Sequence, residues 1–292
     1  MTGIFALLVG ILSSAAMTIV LKIFRQQRGN RYGIILGNYL TCVIIAFLMA
    51  PDKGHLLQAA PSTVICGIIA GILFVAALVS MQTSIRINGA ILTSAFSRMG
   101  LIVPLLISTI FLGEKIRIIQ IPGIVLVLIA FWLISMDRGS FRDQSSPEEA
   151  FQVRPLLLLL VLFAFGGGDA MARIFHYAGL QSENQLYFLI LFTVAALLAI
   201  VLLFLEYRRT GKKPVLKEFL VGILVGIPNY FSSSLLLQAL YGLPSFIVYP
   251  CFSAGTLLLV TILGAAVFKE RPGRNTWIGL GLIIIALICL NL

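Results

Sequence analysis

Apolar segments long enough to cross a lipid bilayer follow one another along the whole of this 292-residue chain. The hydrocarbon core of a bilayer is about 30 Å thick, so a helix needs about 20 mostly apolar residues to span it. Hydrophobic residues make up 60% of the chain and charged residues only 11%, whereas soluble domains carry about 25% charged residues. This composition excludes a water-soluble domain and a disordered chain. The runs are also longer than the strands of a membrane barrel, which have about 10 residues, so they predict an all-α membrane protein.

The apolar segments predict ten transmembrane helices, five on each side of a polar linker. The predicted spans are residues 2–21, 32–50, 62–84, 87–112, 118–136, 155–175, 184–205, 219–240, 244–268 and 275–292. The linker covers residues 137–154 and reads DRGSFRDQSSPEEAFQVR, a composition typical of a loop. We therefore expect residues 1–136 and residues 155–292 to form two five-helix repeats.

Basic residues are distributed unequally between the loops on the two sides of this predicted bundle. Sixteen of the 21 Lys and Arg residues fall on one side, three fall on the other, and two lie within spans. The positive-inside rule assigns the richer side to the cytoplasm. We therefore predict a protein of the cytoplasmic (inner) membrane with both termini outside the cytoplasm. This arrangement accounts for the net charge of +10 without a basic surface for nucleic acid, and we expect no nucleic-acid partner.

The two halves of the chain also align with each other at a shift of 156 residues. Matched pairs in this alignment are Gln82 with Gln238, Ser97 with Ser253, Glu114 with Glu270, and Gly123 with Gly279. Because each half contains an odd number of predicted spans, the second half must enter the membrane in the opposite direction. Inverted repeats of this kind are typical of secondary transporters, in which they support alternating access.

The sequence around the fourth and ninth spans resembles a known family. Residues 95–115 read AFSRMGLIVPLLISTIFLGEK and residues 121–135 read IPGIVLVLIAFWLIS; the second copy reads CFSAGTLLLVTILGAAVFKER and then WIGLGLIIIALICL. This pattern is similar to that of EamA-like proteins in the drug/metabolite transporter superfamily, and the similarity covers the whole chain. It implies ten helices around a central cavity and a secondary transporter, often an exporter of amino acids, other small metabolites or drugs. It also implies cytoplasmic termini, the opposite of what the loop charges predict.

Polar side chains lie near the middle of several predicted spans, as estimated from the 1.5 Å rise per helical residue. A charge in hydrocarbon costs about 3 kcal/mol, so Arg98 and Asp169 should face the interior of the bundle. Together with Arg173 they leave this interior net positive, which favours an anionic or zwitterionic substrate bound by a guanidinium group. The alternative is a structural ion pair between Arg98 and Asp169, with Arg173 extending to the outer interface. The predicted substrate-binding residues are Arg98, Asp169, Arg173, Asn229, Tyr230 and Ser253.

Three further residues are candidates for gating. Gln82 and Gln238 are related by the repeat and fall near span ends, where they act either as symmetric gates or as hydrogen-bonding groups at helix ends. Pro228 interrupts the eighth span and marks either a transport site or a simple kink. Two structural expectations complete the pattern: the glycine run 166–168 should allow close helix packing, and Glu114 should form a solvated ion pair with Lys115.

These observations predict a secondary transporter of a small metabolite, with export as the expected direction. Its expected partners are the small-molecule substrate and membrane lipid. Asp169, the only acid well inside a span, is the candidate for carrying a coupled proton. We expect no cofactor and no metal, and a monomer or a homodimer. The alternative function is a lipid or lipid-linked sugar flippase on the same scaffold. An enzyme is not expected, because the chain has neither paired deep acids nor an HExxH motif for intramembrane proteolysis, and no Walker motif.

Overall fold

The computed structural model describes residues 3–24, 31–50, 59–88, 90–115, 117–136, 154–211, 213–268 and 273–291. Within these residues the chain is helical and contains no strand. The helices are α1 (Gly3–Ile23), α2 (Arg31–Met49), α3 (Pro61–Asn88), α4 (Ala90–Met99), α5 (Ile102–Ile110), α6 (Ile121–Ser135), α7 (Pro155–Ala178), α8 (Asn184–Thr210), α9 (Leu216–Leu240), α10 (Ser245–Phe268) and α11 (Arg274–Asn291). Two short 3₁₀ turns precede α6 and α8, at Ile118–Gln120 and Gln181–Glu183.

Seven helical stretches are long and apolar enough to cross a membrane, counted within the described part of the chain. They are Gly3–Leu21, Tyr32–Met49, Pro61–Ile85, Pro155–Ala178, Gln181–Thr210, Leu216–Leu240 and Ser245–Val267, and three shorter apolar helices cover Phe96–Ile110, Ile121–Ile134 and Arg274–Ala286. Large apolar side chains remain exposed on many of these helices, for example Leu48 at 69% and Leu156 at 79%. Such surfaces are stable when lipid covers them, and helices satisfy their own backbone hydrogen bonds there. The chain is therefore an integral membrane protein.

The helices of the two halves follow the same order with similar spacing. Helices α1, α2, α3, α4 and α6 begin at residues 3, 31, 61, 90 and 121, while α7 to α11 begin at residues 155, 184, 216, 245 and 274. The offset between corresponding helices is thus nearly constant. The predicted linker lies outside the described residues except for Arg154.

The fourth predicted span differs from our expectation, because it is divided into α4 and α5. Pro104 has no backbone N–H to donate to the carbonyl of Gly100 four residues earlier. Instead, the N–H of Val103 donates to Gly100 O at 2.9 Å, and the N–H of Leu101 donates to Arg98 O at 3.3 Å. Bonds across three residues tighten the chain and end the regular α-helix. The break therefore falls at residues 100–101, two residues after Arg98.

The chain forms two compact units, and each combines sequence from both sides of the linker. The first unit comprises Met1–Val75 and Met171–Gly242, and the second comprises Ala76–Ala170 and Leu243–Leu292. The boundaries fall within α3 and α7, so each of these helices contributes to both units. Side chains near one another within a unit can therefore come from both halves of the sequence.

Glycines allow close helix packing in the first unit. A Cβ atom on Gly71 of α3 would lie 2.6 Å from Leu191 O of α8, and one on Gly226 of α9 would lie 2.6 Å from Asn38 O of α2. Both glycines belong to GxxxG pairs of the sequence. Buried aromatic rings fill the rest of this unit, including Phe175 stacked on Tyr187 with centroids 4.3 Å apart. The first unit is thus packed tightly around small residues and rings.

Candidate substrate-binding site

In the second unit, the junction between α4 and α5 crosses α7 at a pair of glycines. A Cβ atom on Gly100 would lie 2.9 Å from both Gly166 N and Leu162 O, and one on Gly166 would collide with Gly100 O. The predicted close packing at the glycine run is therefore confirmed for Gly166. The crossing has a consequence for the charged residues: Arg98 precedes Gly100 by two residues and Asp169 follows Gly166 by three, so both lie beside the contact.

Arg98 and Asp169 interact electrostatically with each other. Both side chains are half-buried. Within the described chain, however, they form no direct ion pair and no side-chain hydrogen bond. The structural ion pair considered as an alternative is therefore not formed in this structure. What the second unit contains is a positive and a negative group that are close enough to interact but remain separate.

One face of α10 contacts Asp169 through Tyr249 and carries two further hydroxyl groups. The hydroxyl of Tyr249 donates a hydrogen bond to the backbone oxygen of Asp169 at 2.9 Å. Ser253 and Thr256 follow Tyr249 at i+4 and i+7, so the three residues share one helix face. Ser253 is half-buried, whereas Thr256 is fully buried and its hydroxyl has no hydrogen-bond partner in the part of the chain that the structure describes. An unsatisfied buried hydroxyl costs about 1–3 kcal/mol, so this face has unused hydrogen-bonding capacity.

Glu114 has a role that sequence reasoning missed. Its carboxylate accepts a hydrogen bond from Ser245 N–H at 2.6 Å, and the hydroxyl of Ser108 donates to its other oxygen. Ser245 is the first residue of α10, so Glu114 caps this helix and connects it to the end of α5. The expectation of a solvated ion pair with Lys115 therefore missed the main role of this carboxylate. No signal in the sequence links residues 114 and 245.

Other carboxylates of the described chain also cap helices. In the first unit, Glu183 accepts a hydrogen bond from Ala60 N–H at 3.2 Å and another from the hydroxyl of Thr63, at the start of α3. Glu218 accepts from Val215 N–H at 3.1 Å and caps its own helix, α9. Asp169 differs from these residues because it lies well inside a helix.

The predicted site residues of the first unit have partners inside that unit. The side-chain amide of Asn229 donates to Asn38 Oδ1 at 3.1 Å and joins α9 to α2. The hydroxyl of Tyr230 donates to Gln185 Oε1. Arg173 lies 2.6 Å from His176 Nδ1 through one of its Nη atoms.

The three predicted gating residues have different surroundings. Gln82 lies six residues before the end of α3, and its Oε1 is buried with no hydrogen-bond partner among the described residues. Gln238 is exposed near the end of α9. Helix α9 continues through Pro228, which is half-buried. Gln82 and Gln238 occupy equivalent positions in the two repeats, but the first has a buried side-chain oxygen and the second is exposed.

Opposite charges that lie beside a broken helix inside a helical membrane protein are an arrangement typical of membrane transport proteins. A model of the EamA-like transporter family matches residues 1–136 and 154–292. The chain therefore belongs to the EamA-like transporter family, within the drug/metabolite transporter superfamily. This confirms the resemblance seen in the sequence, and the members of this family are transporters rather than enzymes.

Two further comparisons also match nearly the whole length of the chain. The chain is 26% identical to an uncharacterised protein of Haemophilus influenzae over 295 residues, covering 97% of this chain and 96% of that protein. Its structure is also similar to that of another protein solved by crystallography. The two superpose with a TM-score of 0.74 over 98% of this chain and 95% of the other, and their sequences are 13% identical. The second similarity concerns the fold alone.

Proposed function

We propose that this chain is a secondary transporter that exports a small anionic or zwitterionic metabolite across the cytoplasmic membrane. The observation that carries this proposal is Arg98, a half-buried guanidinium deep in an apolar segment, beside a helix break and without a direct counter-ion in the described chain. A charge in hydrocarbon is costly, and its retention within a span is a mark of a functional site. A guanidinium binds a carboxylate or phosphate through two parallel hydrogen bonds.

The transport cycle that we propose is alternating access between two inverted repeats. The near-constant offset of helix starts supports repeats at residues 1–136 and 155–292, with α4 and α5 together acting as one span. This gives five spans in each repeat and an inverted second half. In this scheme Gln82, Gln238 and Pro228 are the gating residues, and Ser253, Asn229, Tyr230 and Arg173 line the path in one or the other state.

Asp169 is the group that we propose for proton coupling. The other carboxylates with resolved partners, Glu114, Glu183 and Glu218, accept hydrogen bonds at helix starts. Asp169 alone of these four lies deep in a span and beside the proposed substrate site. A proton bound there would enter the cell as the substrate leaves it, because export driven by the proton gradient requires the two to move in opposite directions.

The test of this function is a comparison of the culture medium of cells that overexpress the chain with that of cells that lack it. We expect at least one small metabolite to accumulate outside the overexpressing cells, and a protonophore to abolish its export. Cells that overexpress Arg98→Ala at the same level serve as the control. Unchanged medium together with an altered lipid composition would contradict the proposal and favour the flippase.

The loop charges make a separate prediction about orientation. We expect a C-terminal alkaline phosphatase fusion to be active and a C-terminal green fluorescent protein fusion to be dark, because both termini are proposed to lie outside the cytoplasm. Fusions after residue 212, in a loop rich in Lys and Arg, should give the opposite result. A fluorescent C-terminal fusion would overturn this orientation.

A further inference from the structure

We propose that the connection between α8 and α9 binds the headgroup of an anionic phospholipid, whose acyl chains lie on the apolar face of α8. The residues that contact the headgroup form what we call the basic corner: Arg208, Arg209, Lys213 and Lys217. All four lie in the first unit. This inference goes beyond the proposed transport function and is independent of it, because none of these residues belongs to the proposed substrate site.

The first step concerns how the charges of this connection are oriented. The four basic side chains of the basic corner are exposed. Glu218, which directly follows Lys217, is only 2% exposed. Its carboxylate accepts a hydrogen bond from Val215 N–H at 3.1 Å, and a Cβ atom on Gly33 of α2 would lie 2.8 Å from its Oε2 atom. Glu218 is therefore turned inward against α2, and Glu206 in α8 is half-buried. The surface that these residues present is thus positive, so it attracts an anion.

The second step concerns the direction of the Arg208 side chain. Its guanidinium carbon lies 5.2 Å from the centroid of the Phe204 ring. Phe204 lies one helical turn earlier, toward the middle of the span, so the guanidinium is directed back along α8 instead of away from the membrane. The attraction between the cation and the ring stabilises this direction. Arg208 therefore holds its charge at the membrane interface, which is where lipid phosphates lie.

The third step concerns the apolar surfaces next to the basic corner. Helices α8 and α9 each carry a row of exposed apolar residues on one helix face, with a basic residue of the corner at its end. On α8 the row leads to Arg208 and consists of Leu197, Val201 and Phe204. On α9 the row follows Lys217 and consists of Leu220, Leu224 and Ile227. In a membrane these rows are covered by acyl chains.

A phospholipid combines the two chemistries that this surface presents. Its phosphate binds guanidinium and ammonium groups, and its acyl chains cover the apolar rows. A soluble anion such as free phosphate contacts the basic corner alone and leaves the apolar rows without a partner. A zwitterionic lipid also carries an ammonium group, which the basic corner repels. The surface therefore favours a lipid whose headgroup has a net negative charge.

The experiment measures by native mass spectrometry which lipid stays bound to the detergent-purified full-length chain. The chain is incubated with equal amounts of phosphatidylglycerol and phosphatidylcholine that have the same acyl chains, and the ratio of the two retained lipids is determined. We expect the parent chain to prefer phosphatidylglycerol at least about 5-fold, the effect of one basic side chain at an anionic lipid surface. Glycerol 3-phosphate at the same concentration should not displace the lipid, because it has no acyl chains.

Variants assign this preference to the basic corner. Arg208→Gln combined with Lys217→Gln should lower the ratio of the two lipids at least about 5-fold. Arg208→Lys combined with Lys217→Arg keeps both charges and should retain the preference, which separates charge from folding. The matched control is Lys115→Gln combined with Arg274→Gln, because both residues are exposed and basic but lie in the second unit. This control removes the same total charge and should keep the ratio of the parent.

Four results would overturn this inference. Equal retention of the two lipids by the parent would show that the headgroup charge is not recognised, and an unchanged ratio in the Arg208→Gln/Lys217→Gln chain would remove the basic corner from the lipid site. An equal fall in the control would assign the preference to total charge. Displacement of the lipid by glycerol 3-phosphate would assign the basic corner to a soluble anion. None of these results bears on export, because the basic corner contributes no residue to the proposed substrate site.

Discussion

Replacing Arg98 by alanine should abolish export while leaving the protein folded and inserted in the membrane. The guanidinium provides the charged contact to the substrate, and loss of such a contact costs about 2 kcal/mol or more. Export at low substrate concentration should therefore fall about 30-fold or more. Folding should tolerate the change because Arg98 makes no ion pair within the described chain, and because removing a charge from a span favours insertion.

The measurement is initial efflux of the metabolite that the parent protein exports, with size-exclusion profiles as the check on folding. Arg208→Ala is the matched control, because Arg208 is an exposed residue in the last turn of α8 and its side chain lies over the ring of Phe204. Arg98→Lys keeps the charge but not the two-point geometry, so we expect an intermediate effect. Efflux by Arg98→Ala at the rate of the parent would remove Arg98 from the site.

A single methyl group on Gly166 should destabilise the protein by about 1–3 kcal/mol, which is typical of overpacking in a tight contact. The added Cβ atom would collide with the carbonyl of Gly100 and lie 2.7 Å from Val103 Cγ2. A backbone carbonyl cannot rotate away, so the junction between α4 and α5 must move away from α7. Because Arg98 and Asp169 lie on the two sides of this crossing, we also expect reduced export.

The control for Gly166→Ala is Gly281→Ala in α11, since a Cβ atom at residue 281 would meet nothing within 4 Å. We expect a lower melting temperature for the first variant in detergent and an unchanged one for the second. Equal melting temperatures for the two variants would mean that the crossing at Gly166 is looser than the structure indicates. The paired design isolates the contact from the general effect of replacing glycine by alanine in a helix.

The candidate site could be proposed from the sequence because depth along a membrane helix is a local property. Each residue advances a helix by 1.5 Å, so the positions of Arg98 and Asp169 within their apolar segments follow from counting. The glycine run before Asp169 also indicated close packing, which the structure confirms at Gly166. Pro104 by itself allowed either a kink or a break, because proline is often tolerated within membrane helices; the structure shows the break after Met99.

The sequence by itself determined the class of protein, most of the helical segments and the family. Only the tertiary structure decided which groups meet: Glu114 with the start of α10, Asn229 with Asn38, and Arg173 with His176. The physical reason is that these helices are apolar around much of their circumference, so the pattern of polar and apolar residues does not mark the face that packs. Lateral contacts then depend on where small residues let distant helices approach, and that is decided only when the whole chain is packed.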